Sequence, residues 1–516
     1  MRIARLQIKN FRGIRYADVQ FGQTSVLIGP NSVGKTTILE ALALILGRDR
    51  MVRSLTEHDF YGSNPAPADR IKIIASIAGF EGNSPEKHPE WFNIRRGAVP
   101  KWLNTKTGAV SATKGGETDE LVCEIAVQAR FDQDTLEVET CRYFYEDESN
   151  EDVFVDDTVT LVPNKLIQEV GLFFIPASRS WDRMISFGSE LFRRVVSSEE
   201  GLPAESIIAE RDRLRNPTDP LEANTRLKPI IDEVNKEICA LFGEGNDVRL
   251  RITATDSSGV LESVIPHFRN REGAIVPAKR QGSGLLSLQS LFLLLHFGQR
   301  RVDSGKGFCL ALEEPELHLQ PATQRKVLRR LRSLSSQVIV STHSPLVAGF
   351  AEPTELLTVR SEGGTVTASP MLNEPLSAKS PNALRTLFQL RRVELAGALM
   401  CDIVLVPEGI FDCEWMSLFI RLAELQPEVQ AAGTQFTSSI GLLPTHDSAV
   451  AATCRSLMNV HPVALVDGDV SGQAYAAELA VPKSGAARVL RWPDQWTMED
   501  VVGWIISSRL LCRSMS

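Results

Sequence analysis

With 516 residues, 43% hydrophobic and 23% charged, the chain has the balance of a globular protein and the length for two to four domains. Its net charge of −8 excludes a whole-molecule pull toward nucleic acid, so any such binding must rest on local patches. Eight cysteines without a C-x-x-C pair and eight histidines without a ligand cluster exclude a zinc module and a disulfide framework, and suit a reducing cytoplasm. The longest apolar stretch, Leu285 to Phe297, is too short and too interrupted to span a bilayer, and the chain starts directly on strand-like residues. Neither a signal peptide nor a membrane anchor is therefore expected.

Arg2 to Ile8 and Tyr16 to Phe21 alternate polar and apolar residues about a turn at Asn10-Phe11-Arg12-Gly13, which predicts a hairpin. Thr24 to Ile28 reads as a buried strand and Thr36 to Leu46 as a helix. Between them, Gly29-Pro30-Asn31-Ser32-Val33-Gly34-Lys35-Thr36 matches the P-loop pattern G-x-x-x-x-G-K-[ST]. Gly29 and Gly34 free backbone N–H groups to cradle phosphates, with Asn31 and Thr37 at either end of the cradle. Lys35 reaches the β and γ oxygens, and the Thr36 hydroxyl can ligand Mg²⁺. ATP with Mg²⁺ is the expected cofactor.

From Arg70 to Thr160 the pattern is β-rich, and GLFFIP at 171–176 reads as a core strand. Ile185 to Phe242 is helical in period and charged: either a dimer arm or a solvated helical insertion. Val248 to Ile252 and Val260 to Ile265 read as a second hairpin. Ser283-Gly284 then opens a long apolar helix, a start that suits an anion. Phe308 to Leu312 predicts a buried strand ending in Glu313-Glu314. Two carboxylates there read as a Walker B pair, Glu313 holding Mg²⁺ through water and Glu314 polarising the attacking water. A further strand, Gln337 to Val340, runs into Ser341-Thr342-His343, which places His343 to sense the γ-phosphate.

The set GPNSVGKT, QGSGLLSLQ, EEPELHL and STHSP resembles the ABC-type ATPase heads of the RecF and SMC group, and within it the OLD (overcoming lysogenization defect) family. The resemblance implies that Ser283 and Gly284 of one protomer complete the nucleotide site of another, hence a homodimer or higher homo-oligomer. The segment departs from the usual Leu-Ser-Gly-Gly-Gln. Arg12 matches an arginine that such heads place near the nucleotide, and reads equally as a hairpin-end charge. About 250 residues separate P-loop from signature, which is unlike a transport ATPase. No sustained heptads support long coiled-coil arms.

After Pro381, a helix-like segment leads into the strand Ile403 to Val406 and Glu408-Gly409-Ile410-Phe411-Asp412, with Pro407 expected to stop that strand early. Val463 to Val466 runs into Asp467-Gly468-Asp469, and Arg488 to Leu490 leads to Glu499-Asp500. Three strands delivering acids to one sheet edge gather hard cations such as Mg²⁺ or Mn²⁺. Glu-Gly-x-x-Asp followed about 55 residues later by Asp-Gly-Asp resembles the Toprim fold. Carried over, Glu408 is general base or metal ligand, Asp467 and Asp469 are metal ligands, and Asp412, Glu499 and Asp500 lesser contributors. Lys483 is either a phosphate partner or a solvated lysine.

The resulting expectation is an α/β protein: an ABC-type P-loop ATPase head in two halves, 1–180 and 246–375, a helical insertion at 181–245, and a C-terminal Toprim domain at 376–516. It implies an ATP-dependent DNA endonuclease in phage defence or DNA processing, with a companion defence protein as a further partner. The competing reading is a RecF- or SMC-like DNA-binding ATPase whose Toprim domain is not catalytic. A topoisomerase ranks below both, since the only tyrosine after Tyr145 is Tyr475.

Overall fold

The computed structural model describes residues 1–47, 55–93, 96–147, 153–154, 159–177, 204–243, 245, 247–252, 255–264, 267–269, 272–303, 305, 307–317, 319–377, 380, 382–425, 440–446, 449–480 and 488–514. Lys483 and residues 178–203, which include the first part of the expected insertion at 181–245, lie outside them. Two compact units result, one formed by Met1–Ala177 with Ser304–Ser516 and the other by Ser178–Asp303.

Alternation of buried and exposed residues builds the start of the larger unit. The predicted hairpin is β1 (Arg2–Phe11) against β2 (Ile14–Gln20), followed by β3 (Thr24–Ile28), buried almost throughout, and helix α1 (Lys35–Leu46). Next come β4 (Ile71–Ala78), the short β5 (Lys101–Leu103) and β6 (Val110–Ser111), then β7 (Glu120–Asp132) and β8 (Glu137–Phe144), all antiparallel to their neighbours. Helix α2 (Asn164–Val170) leads to β9 (Leu172–Ile175), the core strand expected at 171–176.

In the smaller unit, α3 (Ala204–Arg215) and α4 (Lys228–Phe242) carry the helical pattern. The expected hairpin at 248–265 is not formed. Val248–Ile252 is not a strand, and Ser257–Glu262 is a helix, α5. The Asp256 carboxylate accepts from Gly259 N–H at 2.8 Å and its carbonyl from Val260 N–H at 3.0 Å, a cap that overrides the β preference of one valine. The hairpin lies further on, β10 (His267–Arg269) with β11 (Ile275–Pro277), before the long α6 (Ser283–Asp303).

The chain then returns to the larger unit with β12 (Cys309–Glu313), α7 (Pro321–Leu334), β13 (Gln337–Ser341), α8 (Pro345–Ala348), β14 (Leu356–Glu362) and β15 (Thr365–Pro370). One large sheet runs β6-β5-β7-β4-β1-β2-β15-β14-β3-β13-β12-β9, with β8 on β7. Its segment β14-β3-β13-β12-β9 is parallel. Parallel strands are buried on both faces and need apolar runs, which LALE, QVIVS and TSVLI supply. Its main core packs α1 (Ile38, Leu42, Ile45) against Ile3, Leu6, Leu27, Ala311 and Ile339.

A second, four-stranded parallel sheet closes the chain. After α9 (Asn382–Arg385) and α10 (Arg392–Leu399) come β16 (Ile403–Pro407), α11 (Ile410–Glu424), β17 (Ile440–Leu442), α12 (Val450–Ser456), β18 (Val463–Val466), α13 (Val470–Leu479), β19 (Arg488–Arg491) and α14 (Met498–Ser514), in the order β17-β16-β18-β19. Pro407 does not end β16 early: it is the strand's last residue, opposite Leu465, and its carbonyl accepts the Thr445 hydroxyl at 2.7 Å. A proline at a strand's end withholds an N–H but keeps this acceptor. Among the described residues no helix is long and apolar enough to cross a membrane.

Gln337, fully buried, sets β13 against the first hairpin. Its amide accepts from Ile3 N–H at 2.8 Å and donates to the carbonyls of Ile3 at 2.7 Å and Gly22 at 2.8 Å. Gln337→Leu leaves those backbone groups unpaired in the core, and we expect unfolding free energy to fall by about 3 kcal/mol in urea denaturation. A change under about 1 kcal/mol would contradict the role given to this side chain.

Candidate functional site

The parallel strands β3, β13 and β12 end side by side, with Leu27 opposite Ser341 and Ser341 opposite Glu313. Ligands of open α/β sheets bind beyond such carboxyl ends, and here three motifs meet there. Gly29 is irreplaceable at the turn out of β3: a Cβ would lie 2.4 Å from the Val359 carbonyl, and its φ is +148°. Gly34, at φ +100°, caps α1 without side-chain help.

Lys35 is buried, and its ammonium donates to the carbonyls of Gly29 at 2.8 Å and Pro30 at 2.6 Å. Burial pushes its pKa down to about 8, opposed by the nearby Glu314 carboxylate and aided by the Arg360 guanidinium. The Thr36 hydroxyl donates to Glu313, whose second carboxylate oxygen accepts from Ala177 N–H at 2.8 Å. P-loop hydroxyl and Walker B acid therefore face one another, as shared coordination of a cation requires.

His343 Nε2 stands 3.9 Å from Glu314. Its pKa is lowered, first by burial and then by the charge of Lys35, so the ring is neutral near pH 7. Glu314 has a left-handed backbone, φ 45°, and its N–H donates to Ser341 O at 2.8 Å. Sequence reasoning missed Glu316. One of its oxygens accepts from Thr342 Oγ1 at 2.7 Å, His343 N–H at 3.0 Å and Ser344 N–H at 3.1 Å, fixing the loop that carries His343. Its place two residues after the acid pair was the available signal.

Asn31 is exposed at the loop tip and Thr37 half-buried in the first turn of α1. Arg12 turns to the flank of α1, bound to Glu40 and to Asp59 at 2.8 Å. Ser283, exposed, and Gly284 open α6 in the smaller unit, where the Gly282 carbonyl accepts from Leu285 N–H at 3.0 Å.

The second sheet brings the C-terminal acids to one edge. Glu408, buried after β16, accepts the Asp467 N–H at 2.9 Å after the adjacent β18. Gly468 must be glycine, since a Cβ would meet the Pro493 carbonyl at 1.8 Å. Burial raises Asp467 to about 7, reinforced by the charges of Asp412, Glu408, Asp469 and Glu499. Several of these acids also serve the backbone. Asp412 accepts from Gly409 N–H at 2.9 Å, Asp469 from Gly472 N–H at 2.7 Å and Asp500 from Thr497 N–H at 2.9 Å, while Glu499 accepts from the Thr497 side-chain hydroxyl at 2.7 Å. Among the described residues, no three His, Cys, Asp or Glu side chains are grouped closely enough to hold a metal ion as they stand.

Arg360, also missed, has no sequence signal beyond one cation in an apolar strand. From β14 it donates to the carbonyls of Cys401 at 2.9 Å and Leu399 at 3.3 Å, tying the P-loop's neighbouring strand to the segment that enters β16.

Fold and motifs together define an AAA-class P-loop ATPase. Residues 1–167 match the family model "AAA ATPase domain" and residues 176–349 match "AAA domain, putative AbiEii toxin, Type IV TA system". The chain is 21% identical over 442 residues to Endonuclease GajA of Bacillus cereus (strain VD045), a match spanning 84% of this chain and 70% of the relative. It is 49% identical over 45 residues to the OLD nuclease of Thermus scotoductus (strain ATCC 700910 / SA-01), covering 9% of this chain and 8% of that one. Both matches support the OLD-family resemblance carried by the motifs. Among solved structures it is similar to an Smc head bound to the C-winged helix domain of ScpA (TM-score 0.37, 13% identity, 71% of this chain and 97% of that one). It is also similar to the SMC head domain from Thermotoga maritima (TM-score 0.29, 16% identity, 72% and 99%).

Lys35→Ala should weaken ATP binding at least about 100-fold, and Glu314→Gln should bind ATP but cut turnover by about 10² to 10⁴. Because Lys35 loses its proton above about pH 8, ATP binding there must take one up. Titration calorimetry between pH 7 and 10 should show weakening affinity in the native protein and a flat profile in Lys35→Arg.

Asp467, raised to about 7, binds its proton more tightly folded than unfolded, so folding stability falls as pH rises from about 4 to 7. Asp467→Asn should flatten that slope in thermal unfolding, and Mn²⁺ should raise the native protein's Tm more at pH 8 than at pH 5. Equal Mn²⁺ shifts at both pH values would contradict the charge argument.

Proposed function

We propose that this protein is an ATP-regulated, metal-dependent DNA endonuclease, residues 376–516 forming a Toprim nuclease domain and 1–180 with 246–375 the ATPase head. The observation that carries the nuclease half is the placement of Glu408 and Asp467 at the ends of adjacent parallel strands, the carboxylate of one against the amide of the other. Similarity to an endonuclease over most of the chain supports it.

In donor type, though not in their spacing as they stand, these acids suit a hard divalent cation. The set is all carboxylate, one member is buried, and the charge crowded around Asp467 calls for neutralisation. Glu408 and Asp467 would hold Mg²⁺ or Mn²⁺ directly, with Asp469, Asp412 and Glu499 around it. Bound there, the metal would lower the pKa of water and stabilise the leaving oxygen of a phosphodiester. Glu408, shielded from solvent, is the group suited to take the proton of the attacking water. In the head, Lys35 and the loop amides would bind the phosphates, Thr36 and Glu313 would hold Mg²⁺, Glu314 would orient water, and His343 would contact the γ-phosphate.

This reading carries a homodimer or higher homo-oligomer whose ATP sites are completed by Ser283 and Gly284, a cytoplasmic setting, and a role in phage defence or DNA processing beside a companion defence protein. One observation favours a second reading, a DNA-binding ATPase with a non-catalytic C-terminal domain: Asp412, Asp469 and Asp500 are occupied with backbone N–H groups.

Plasmid cleavage with Mg²⁺ or Mn²⁺ decides between them. The native protein should nick or cut supercoiled DNA, and Glu408→Ala and Asp467→Ala should each reduce the rate at least about 100-fold while ATP hydrolysis continues. Undiminished cutting in both variants would remove the site assignment, and no cutting by the native protein on any DNA form would favour the second reading.

A further inference from the structure

Helix α7 presents a one-sided charged surface. Its sequence, PATQRKVLRRLRSL, carries five cations and no acid in a chain whose net charge is −8. Gln324, Val327 and Leu331 form the buried face, and Gln324 reaches the His343 loop through the Ser344 hydroxyl at 3.4 Å. The opposite face presents Arg325, Lys326, Arg329 and Arg330, all exposed. Arg332 is neutralised by Glu355, and Arg325 lies 5.9 Å over the Phe350 ring. Lys326, Arg329 and Arg330 have no carboxylate partner among the described residues.

Such a face is locally costly. Arg325 with Arg329, and Lys326 with Arg330, are like charges four residues apart, which repel across one helical turn. A solvated face would ordinarily intersperse glutamate, which removes the repulsion and keeps solubility. The arrangement makes sense with a polyanion. Two tiers of paired cations about 6 Å apart along the axis match successive backbone charges, and three of the four are arginines, whose planar fork suits phosphate. The outer face offers no exposed aromatic or large aliphatic side chain of its own, which a protein interface would need as an anchor. Helix α7 packs on α8, which packs on α10, the helix leading into the β16 strand of the acid pocket.

We propose that the exposed face of α7 is a duplex-DNA backbone contact, sequence-independent, that holds substrate on the same unit as the Glu408–Asp467 pocket. The inference rests on the nuclease reading above and deepens it by naming the surface that binds the substrate. None of its four residues belongs to the ATP site or the acid pocket.

The test is fluorescence anisotropy of a labelled 30-base-pair duplex with the full chain in EDTA, titrated from about 50 to 300 mM KCl, comparing native protein with R325Q/K326Q/R329Q/R330Q. Each lost phosphate contact removes about 0.9 from the log–log salt slope, so the slope should fall by about 3.6 and affinity at 150 mM by about 100-fold. ATP turnover without DNA should be unchanged. If the quadruple variant does not fold, R325Q/K326Q and R329Q/R330Q should each remove roughly half of the slope change. Native binding with an identical slope and affinity in the variants overturns the proposal and leaves the nuclease reading standing, the helix then facing an acidic protein or solvent. A native protein that binds no duplex at any salt overturns both.

Discussion

The parallel pairing of β3, β13 and β12 is the constraint from which the ATP site follows. Once Leu27, Ser341 and Glu313 lie in one row, the P-loop, the His343 loop and the acid pair must leave the sheet at the same edge. No side chain has to search for its partners: Thr36 meets Glu313, and His343 comes within 3.9 Å of Glu314. The register is held from behind by Gln337, whose buried amide pairs with the first hairpin at both donor and acceptor. Electrostatics then act on a fixed frame. Lys35 is lowered by burial and His343 by burial and by Lys35, so the pocket sets one cation against a neutral ring and several acids.

The C-terminal sheet repeats the device with the opposite charge balance. Parallel β16 and β18 put Glu408 and Asp467 together, and burial, reinforced by the surrounding acids, raises Asp467 to about 7. Crowded carboxylates cost stability unless a cation or proton intervenes. Asp412 and Asp469 meet part of that cost by capping helices α11 and α13, so the same residues serve the local fold and the pocket's field. Arg360 joins the two sheets, with its side chain on two carbonyls just before β16 and its charge felt at Lys35.

Local pattern carried much of this architecture. The apolar runs TSVLI, CLALE and QVIVS became parallel strands because burial on both faces demands them, and GPNSVGKT lay between strand and helix where it was read. It failed where a short polar cap competed with β propensity, as at Asp256, which turned Ser257–Glu262 into a helix, and at Pro407, which remained in its strand. Arg12, read as either a nucleotide contact or a hairpin-end charge, pairs with Glu40 and Asp59, residues far apart in sequence and brought together by α1 and the 57–60 segment lying against the hairpin.

The amino-acid sequence alone determined the motifs, the strands that carry them and the acids at each strand end, since these depend on periodicity and on which residue types a tight turn or a phosphate tolerates. Tertiary structure decided which strands are neighbours, and therefore that Glu316 holds the His343 loop, that Arg360 spans two sheets, and that Asp467 is raised by burial and by four other carboxylates. The reason is one of range. Propensity and hydrogen-bonded turns act over a few residues, whereas burial, charge and side-chain-to-backbone bonding act between segments that only the sheet order brings close.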